Sequence, residues 1–229
     1  MTGASGVYVQ ALALGLDPAW RRLPDEVRRD DAARFVERLG AAGDPSLRMF
    51  AYSSVGIEPG VDILLWRFAP SVDALEESAA AILAAGLGRW LRVSHSLIGR
   101  IGPSQYVRKA TSQEQSPFDG ERSRYLIVYP FTKSTDWYLL PQESRQGIMN
   151  EHMRVGHGYP MVRQALAYSF GLDSQDFVVA YETDDLPAFG DLVRALRSTE
   201  SRRSTVSDTP ILLGIHRPVA EIVRLLGAP

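Results

Sequence analysis

The sequence predicts an α+β fold in which one unit of strands and helices occurs twice, and three observations carry this prediction. First, a segment that starts at Trp20 returns from Trp137 onwards, with its Trp, Leu, Pro, Glu and Arg at the same spacing. Second, the strand-like runs at 62–68 and 176–182 match in the same order along the chain. Third, both halves show the same succession of strand and helix patterns. Repetition of this kind indicates a duplicated structural unit.

In the first half, apolar runs bounded by turn residues predict strands, and helical periodicity predicts helices. The predicted order is strand 7–14, helix 24–39, strands 47–55 and 62–68, helix 74–87 and strand 91–99. Pro24 suits the first position of its helix, because the N–H that proline lacks is not needed there. The turn-rich segment 56–60 separates the two middle strands.

The second half repeats this order. Its predicted elements are strand 125–132, helix 141–155, strands 163–170 and 176–182, helix 186–200 and strand 209–215, followed by an extra helix at 219–226. The order β-α-β-β-α-β is ferredoxin-like. Helices cover one face of such a sheet, and its other apolar face needs a partner. We therefore expect two fused ferredoxin-like repeats that form a dimeric α+β barrel, with halves at 1–115 and 116–229 and a polar link at 100–122.

Composition bounds the classes of function. The 229 residues are 45% hydrophobic and 23% charged, as is typical of a globular protein, and the net charge of -2 gives no general attraction to nucleic acid. The absence of cysteine excludes disulfides, thiolate metal sites and cysteine nucleophiles. No signal-peptide pattern and no apolar run long enough for a transmembrane segment are present. We expect a cytoplasmic protein with no nucleic-acid partner.

The two repeats differ at positions where functional side chains could lie. In the second repeat, Met149, His152 and Val155 share one apolar helix face, and the first repeat has Phe35 where the second has His152. His152 is therefore either a core histidine or a ligand. On the preceding strand, Tyr129 and Lys133 share a face, which indicates a cavity with polar points or, alternatively, a core tyrosine beside a solvated lysine.

Four motifs of the second half resemble those of the chlorite-dismutase-like superfamily, whose members include chlorite dismutases and coproheme decarboxylases. They are Tyr-Pro-Phe-Thr-Lys at 129–133, Trp-Tyr-Leu-Leu-Pro at 137–141, Glu-His-Met-Arg-Val-Gly at 151–156 and Tyr-Ser-Phe-Gly-Leu-Asp at 168–173. The resemblance implies a homopentamer with haem b or coproheme, an iron porphyrin, bound in the C-terminal half. It implies a degenerate N-terminal half without a haem ligand.

The resemblance also implies roles for individual residues. His152 matches the proximal iron ligand, Tyr129 matches the tyrosine that contacts a propionate and carries the radical, and Lys133 looks like the lysine near the reactive propionate. The other residues expected to bind the cofactor are Trp137, Met149, His95, Arg108 and Arg202. His95 is equally well explained as a partly exposed strand histidine.

The position that separates the family's activities is not arginine in this chain. Chlorite dismutases place an Arg on the strand before Gly-Leu-Asp, and here the count falls on Gln164 or, by the interval from His152, on Ala165. One subgroup of coproheme decarboxylases carries Gln there. The chain departs from the family pattern at His157, where Arg is common, and at Phe131, where Met is common.

The resemblance therefore implies haem-dependent oxidative decarboxylation of coproheme to haem b by hydrogen peroxide, with Tyr129, Lys133 and Gln164 as catalytic residues. In that reaction the porphyrin is both substrate and cofactor. The alternatives are a chlorite dismutase or weak haem peroxidase, and a non-catalytic haem-binding or structural member of the family.

Overall fold

The computed structural model describes residues 6–40, 46–106 and 121–229. The chain divides into two compact units. The first comprises Met1–Ile101 with Leu213–Pro229, and the second comprises Gly102–Leu212.

The first unit has the predicted ferredoxin-like order. Its elements are β1 (Tyr8–Leu16), α1 (Asp25–Gly40), β2 (Arg48–Glu58), β3 (Val61–Ala69), α2 (Val72–Ala84) and β4 (Leu91–Arg100). All three pairings are antiparallel, and the strands lie in the order β4-β1-β3-β2. Short 3-10 helices at Pro18–Arg22 and Gly86–Trp90 connect these elements.

The second unit is built around a central strand. Its elements are β5 (Tyr125–Lys133), α3 (Thr135–Leu139), α4 (Gln142–Gly156), β6 (Arg163–Tyr168), β7 (Phe177–Thr183), α5 (Leu186–Arg197), a 3-10 helix at Glu200–Ser204 and β8 (Thr205–Ser207). β7 pairs antiparallel with both β5 and β6, and β8 pairs with the other edge of β5. The central position of β7 brings side chains of β5 and β6 onto shared faces with its own.

The last elements are β9 (Leu212–His216) and α6 (Val219–Leu225). β9 pairs with β2 through Ser53 and Ile215, and Ile222 of α6 is fully buried in the core of the first unit. Residues 213–229, expected in the C-terminal half, therefore group with the first unit. The expected boundary between residues 115 and 116 lies outside the described residues.

Side-chain caps explain where several helices begin. The hydroxyl oxygen of Ser71 accepts the N–H of Ala74 at the start of α2, and Asp185 accepts the N–H of Ala188 in the same way at α5. Such caps satisfy backbone donors that have no partner inside the helix. α5 ends at Arg197, three residues before its predicted end, and α3 and β8 were not predicted from the sequence.

The core of the first unit contains a buried polar cluster. Trp20 is fully buried, and its indole N–H donates to Asp31 at 3.1 Å. Asp31 also accepts a hydrogen bond from Arg89 at 2.8 Å. Phe35, one turn further along α1, is fully buried in the same core. The position that holds imidazole in the second repeat is therefore filled by an aromatic core residue in the first.

None of the helices within the described ranges is long and apolar enough to cross a membrane.

Replacement of Phe35 by Ala is expected to lower the free energy of unfolding by about 3–5 kcal/mol, because it leaves a cavity in a closely packed core. Denaturant unfolding followed by circular dichroism measures the change. Val27→Ala is the matched control, since Val27 lies on the same helix but is 43% exposed. Equal losses for the two variants would contradict the assignment of Phe35 to the core.

Candidate functional site

A cavity lies within the second unit, and its walls are of two kinds. The apolar wall is formed by Phe131, Met149, Val179, Val193 and Leu196. The polar wall is formed by Tyr129, Lys133, His152, Tyr181, Arg197, Ser201, Arg202, Thr205 and Asp208. These residues come from β5, β7, α4, α5 and the segment that follows α5. The cavity is thus a concave site in which polar groups converge beside an apolar surface, as is typical of sites for small molecules.

Strand alternation builds the sheet side of the cavity. Tyr129 and Phe131 point to one face of β5, and Val179 and Tyr181 point to the same face of β7. The register places Tyr129 opposite Val179, so that Tyr129 and Tyr181 are diagonal neighbours. Their rings stack with centroids 5.8 Å apart and an interplanar angle of 25°.

His152 enters the cavity from α4, one turn after Met149. The pKa of His152 is lowered to about 4, chiefly by burial and also by the nearby charge of Lys133, against a smaller opposite effect of Glu151. The imidazole is therefore neutral at pH 7. Its Nδ1 atom is buried and has no hydrogen-bond partner within the described part of the chain.

Tyr129 is held in its protonated form. Burial raises the pKa of Tyr129 well above its ordinary range, and the neighbouring Tyr181 raises it further. Burial also raises the pKa of Tyr181. Two neutral phenols therefore lie side by side on the sheet wall.

Lys133 is buried, and neutral oxygen acceptors surround its ammonium group. The Nζ atom donates to the carbonyl and hydroxyl oxygens of Ser201 at 2.9 and 3.1 Å and to the hydroxyl of Thr205 at 3.2 Å. It lies 4.7 Å from the ring centroid of Trp137. Burial lowers the pKa of Lys133 to about 8, and the charge of Arg202 contributes. The group is mainly charged at pH 7 but close to titration.

Two guanidinium groups meet one carboxylate at the far end of the polar wall. Arg202 donates to the Oδ2 atom of Asp208 at 2.6 Å, and Arg197 lies 3.8 Å from the same oxygen. All three side chains line the cavity. Arginine keeps its charge under all ordinary conditions, so this end is cationic and suited to carboxylates.

The strand register shows on which face of the sheet Gln164 and Ala165 lie. Gln164 of β6 lies opposite Tyr181, and Ala165 lies opposite Ala180. Directly paired residues share a face, so Gln164 is on the sheet face of Tyr181 and Ala165 is on the other face. Gln164 does not line the cavity described above. Arg163, on the opposite face, pairs with the buried Glu182 at 3.2 Å.

The structure brings five of the expected site residues together. Lys133, Met149, His152, Tyr129 and Arg202 line the cavity. Trp137 is buried behind Lys133. His95 is a half-buried residue of β4 in the first unit, opposite Ala13. Arg108 lies outside the described residues.

Sequence reasoning missed several lining residues. Alternation along the strand at 176–182 could have identified Tyr181, because it shares the face of Val179. Arg197, Ser201, Thr205 and Asp208 follow one another in and beyond the last turn of α5. No periodic pattern marks that segment, so the sequence carried no signal for them.

The donor set suits an iron porphyrin. A neutral imidazole at a cavity wall can serve as a ligand to haem iron, and the buried Nδ1 atom of His152 makes no hydrogen bond to a described residue that would tie it into the core. Apolar side chains suit the macrocycle, and the arginine pair suits its carboxylates.

Comparison with known proteins shows which protein family the chain resembles. The family model described as chlorite dismutase matches residues 26–217. Coproheme decarboxylase of Mycolicibacterium smegmatis is 30% identical over 199 residues, which are 86% of this chain and 84% of that protein. Chlorite dismutase of Ideonella dechloratans is 28% identical over 185 residues, which are 77% of this chain and 65% of that protein.

Solved structures of chlorite dismutases are also similar to this chain. A variant of the chlorite dismutase of Candidatus Nitrospira defluvii matches with a TM-score of 0.87 and 29% identity, and the match covers 96% of this chain and 95% of that one. A complex of chlorite dismutase from the same organism with imidazole matches with a TM-score of 0.85 and 28% identity, over 97% and 95% of the two chains. These matches confirm the predicted fold class.

His152 is expected to make the ligand-free protein less stable in acid. Its folded pKa of about 4 lies below its ordinary value of 6.5, so between these pH values the unfolded chain binds a proton that the folded chain does not. The contribution of neutral His152 to the free energy of unfolding is intact above pH 6.5 and falls by about 3 kcal/mol as the pH drops towards 4. Unfolding by urea at several pH values measures this loss.

His152→Leu should flatten that pH dependence, whereas His157→Leu should leave it unchanged, because His157 is exposed. The same slope in His152→Leu as in the unchanged protein would show that His152 is not buried in its neutral form.

Proposed function

This chain belongs to the chlorite dismutase family, and we propose that it is a haem-dependent oxidative decarboxylase that converts coproheme to haem b with hydrogen peroxide. The observation that carries the proposal is that Tyr129 shares one cavity with a neutral His152, a buried Lys133 and a pair of arginines. A ligand for iron, an oxidisable phenol, a proton donor and a carboxylate site are the groups that this reaction needs.

When bound, the iron porphyrin supplies peroxide-dependent oxidising chemistry and presents its own propionates as the groups to be removed. His152 would hold the iron, because a neutral imidazole keeps one of its two ring nitrogens unprotonated at neutral pH. The apolar side chains of Phe131, Val179 and Leu196 would exclude water from the macrocycle.

Tyr129 would be the group that is oxidised. Because its pKa is raised by burial, the side chain keeps its phenolic hydrogen until it loses an electron and a proton. The oxidised Tyr129 would then take a hydrogen atom from the propionate chain of the substrate, which restores the phenol and leaves a radical on that chain. The radical would give up a second electron to the remaining oxidising equivalent of the peroxide as its bond to the carboxylate carbon breaks, which releases carbon dioxide and leaves the vinyl group. Tyr181, stacked on its ring, would hold it in place.

Lys133 would supply a proton. For each propionate that becomes a vinyl group, one peroxide and one proton are consumed, and one carbon dioxide and two waters are formed. The Nζ atom of Lys133 has its pKa lowered to about 8 by burial, so it can release and regain a proton near neutral pH. Ser201 and Thr205 hold that atom at the cavity wall.

The decisive test is titration of the ligand-free protein with coproheme, followed by peroxide and mass analysis of the porphyrins. The expected result is stepwise loss of two carboxyl groups. Tyr129→Phe should bind coproheme but lose both steps, because phenylalanine has no hydroxyl to oxidise.

Tyr125→Phe is the matched control, since Tyr125 lies on the same strand and does not line the cavity. Full decarboxylation by Tyr129→Phe would remove the assigned role of the tyrosine. Bleaching of bound porphyrin without loss of mass would instead indicate a peroxidase or carrier.

The unchanged protein is expected to release little oxygen from chlorite, since the position where chlorite dismutases are expected to have a guanidinium group falls on Gln164 or Ala165, and neither is arginine. An oxygen electrode measures this release, with Gln164→Arg as the comparison. Rapid, sustained oxygen release by the unchanged protein would favour a chlorite dismutase over a decarboxylase.

A further inference from the structure

Asp208 is an acidic residue in a cavity wall that is otherwise cationic. The charged side chains that line the cavity among the described residues are Lys133, Arg197, Arg202 and Asp208. Lys133 makes its hydrogen bonds to neutral oxygens of Ser201 and Thr205, so the carboxylate of Asp208 offsets the arginines only.

The two arginines hold Asp208 unequally. Arg202 makes a short hydrogen bond to Oδ2 at 2.6 Å, whereas Arg197 lies 3.8 Å from that atom, beyond hydrogen-bond distance. The side chain of Arg197 is 54% exposed, and that of Asp208 is 23% exposed. An ion pair of this kind is weak and can exchange one carboxylate for another, because its charges remain partly hydrated.

We propose that Asp208 is an internal counter-ion that competes with the carboxylates of a bound porphyrin for Arg197 and Arg202, and so limits how strongly the cavity prefers a tetracarboxylate over a dicarboxylate. The inference rests on the proposed function, since it takes the cavity to bind a porphyrin. It assigns a role in specificity to Asp208, which has no part in the chemistry proposed above, acting through Arg197 and Arg202 of the carboxylate site.

Charge explains the discrimination. With Asp208 ionised, the lining carries three positive charges and one negative charge, and its attraction for a ligand grows with the number of ligand carboxylates. Coproheme carries four carboxylates and haem b carries two. A counter-ion in the wall therefore reduces the preference for the more highly charged substrate, and its removal strengthens that preference.

The position of Asp208 connects this site to Tyr129. Although burial is the main cause of the raised pKa of Tyr129, Asp208 also raises it and Arg197 lowers it. Both charged groups are therefore close enough to act on the Tyr129 hydroxyl. A ligand carboxylate that replaced Asp208 beside Arg197 would lie near the same hydroxyl.

The test measures binding without turnover. The probes are the zinc complexes of coproporphyrin and protoporphyrin, which differ in having four and two carboxylates, accept one axial ligand and do not react with peroxide as iron does. Fluorescence titration gives both dissociation constants. Asp208→Asn should bind the tetracarboxylate about three- to tenfold more tightly than the unchanged protein does, and its gain in affinity for the dicarboxylate should be smaller. High salt should reduce both gains.

Asp191→Asn is the charge-matched control, because Asp191 forms an exposed ion pair with Arg194 on α5 and does not line the cavity. Arg197→Gln should lower the ratio of the affinity for the tetracarboxylate to that for the dicarboxylate, whereas Arg194→Gln, on the same helix, should leave this ratio unchanged. Thermal unfolding of all four variants identifies any that fail to fold.

The outcomes separate the two proposals. A response of Asp208→Asn that equals that of Asp191→Asn, in protein that binds both porphyrins, would overturn the role of Asp208 and leave the proposed function intact. Failure of the unchanged protein to bind either porphyrin would overturn both. A rise in the affinity ratio for Asp208→Asn alone, with a fall for Arg197→Gln, would support the counter-ion.

Discussion

The candidate site depends on the register between β5 and β7. Tyr129 lies opposite Val179, and this alignment puts the aromatic and apolar residues of both strands on one face of the sheet. A shift of one residue would turn Tyr129 and Phe131 to the other face, because side chains alternate along a strand. The stacking of Tyr129 on Tyr181 and the apolar wall of the cavity both follow from this single alignment.

Burial then sets the protonation of the groups that the register and α4 bring together. The pKa of His152 is lowered and the pKa of Tyr129 is raised, so both side chains are neutral, and the pKa of Lys133 is lowered towards neutrality. Desolvation is the largest cause in all three cases. Arg197 and Arg202, which are only partly buried and lie beside Asp208, form the cationic end of the polar wall.

Matching positions of the two repeats hold side chains with different surroundings. Phe35 fills the core of the first unit, and His152 occupies the matching position at the wall of a cavity. The matching tryptophans also have different partners, since Trp20 donates a hydrogen bond to the buried Asp31 and the ring of Trp137 lies beneath the ammonium of Lys133. One repeat therefore uses these positions for stability, while the other uses them to arrange polar groups around a cavity.

The sequence by itself determined the order of the main elements, and the resemblance of its motifs to a known family pointed to His152 and Tyr129, the two residues on which the proposed function depends. Periodicity and repetition are local or one-dimensional signals, so they can be read along the chain. The tertiary structure decided that Gln164, and not Ala165, shares the face of Tyr181, because counting along the chain left that choice open and strand pairing closes it. It also decided that Arg197, at the end of α5, and Asp208, beyond it, join the site, since they reach the cavity only through the path that the folded chain takes.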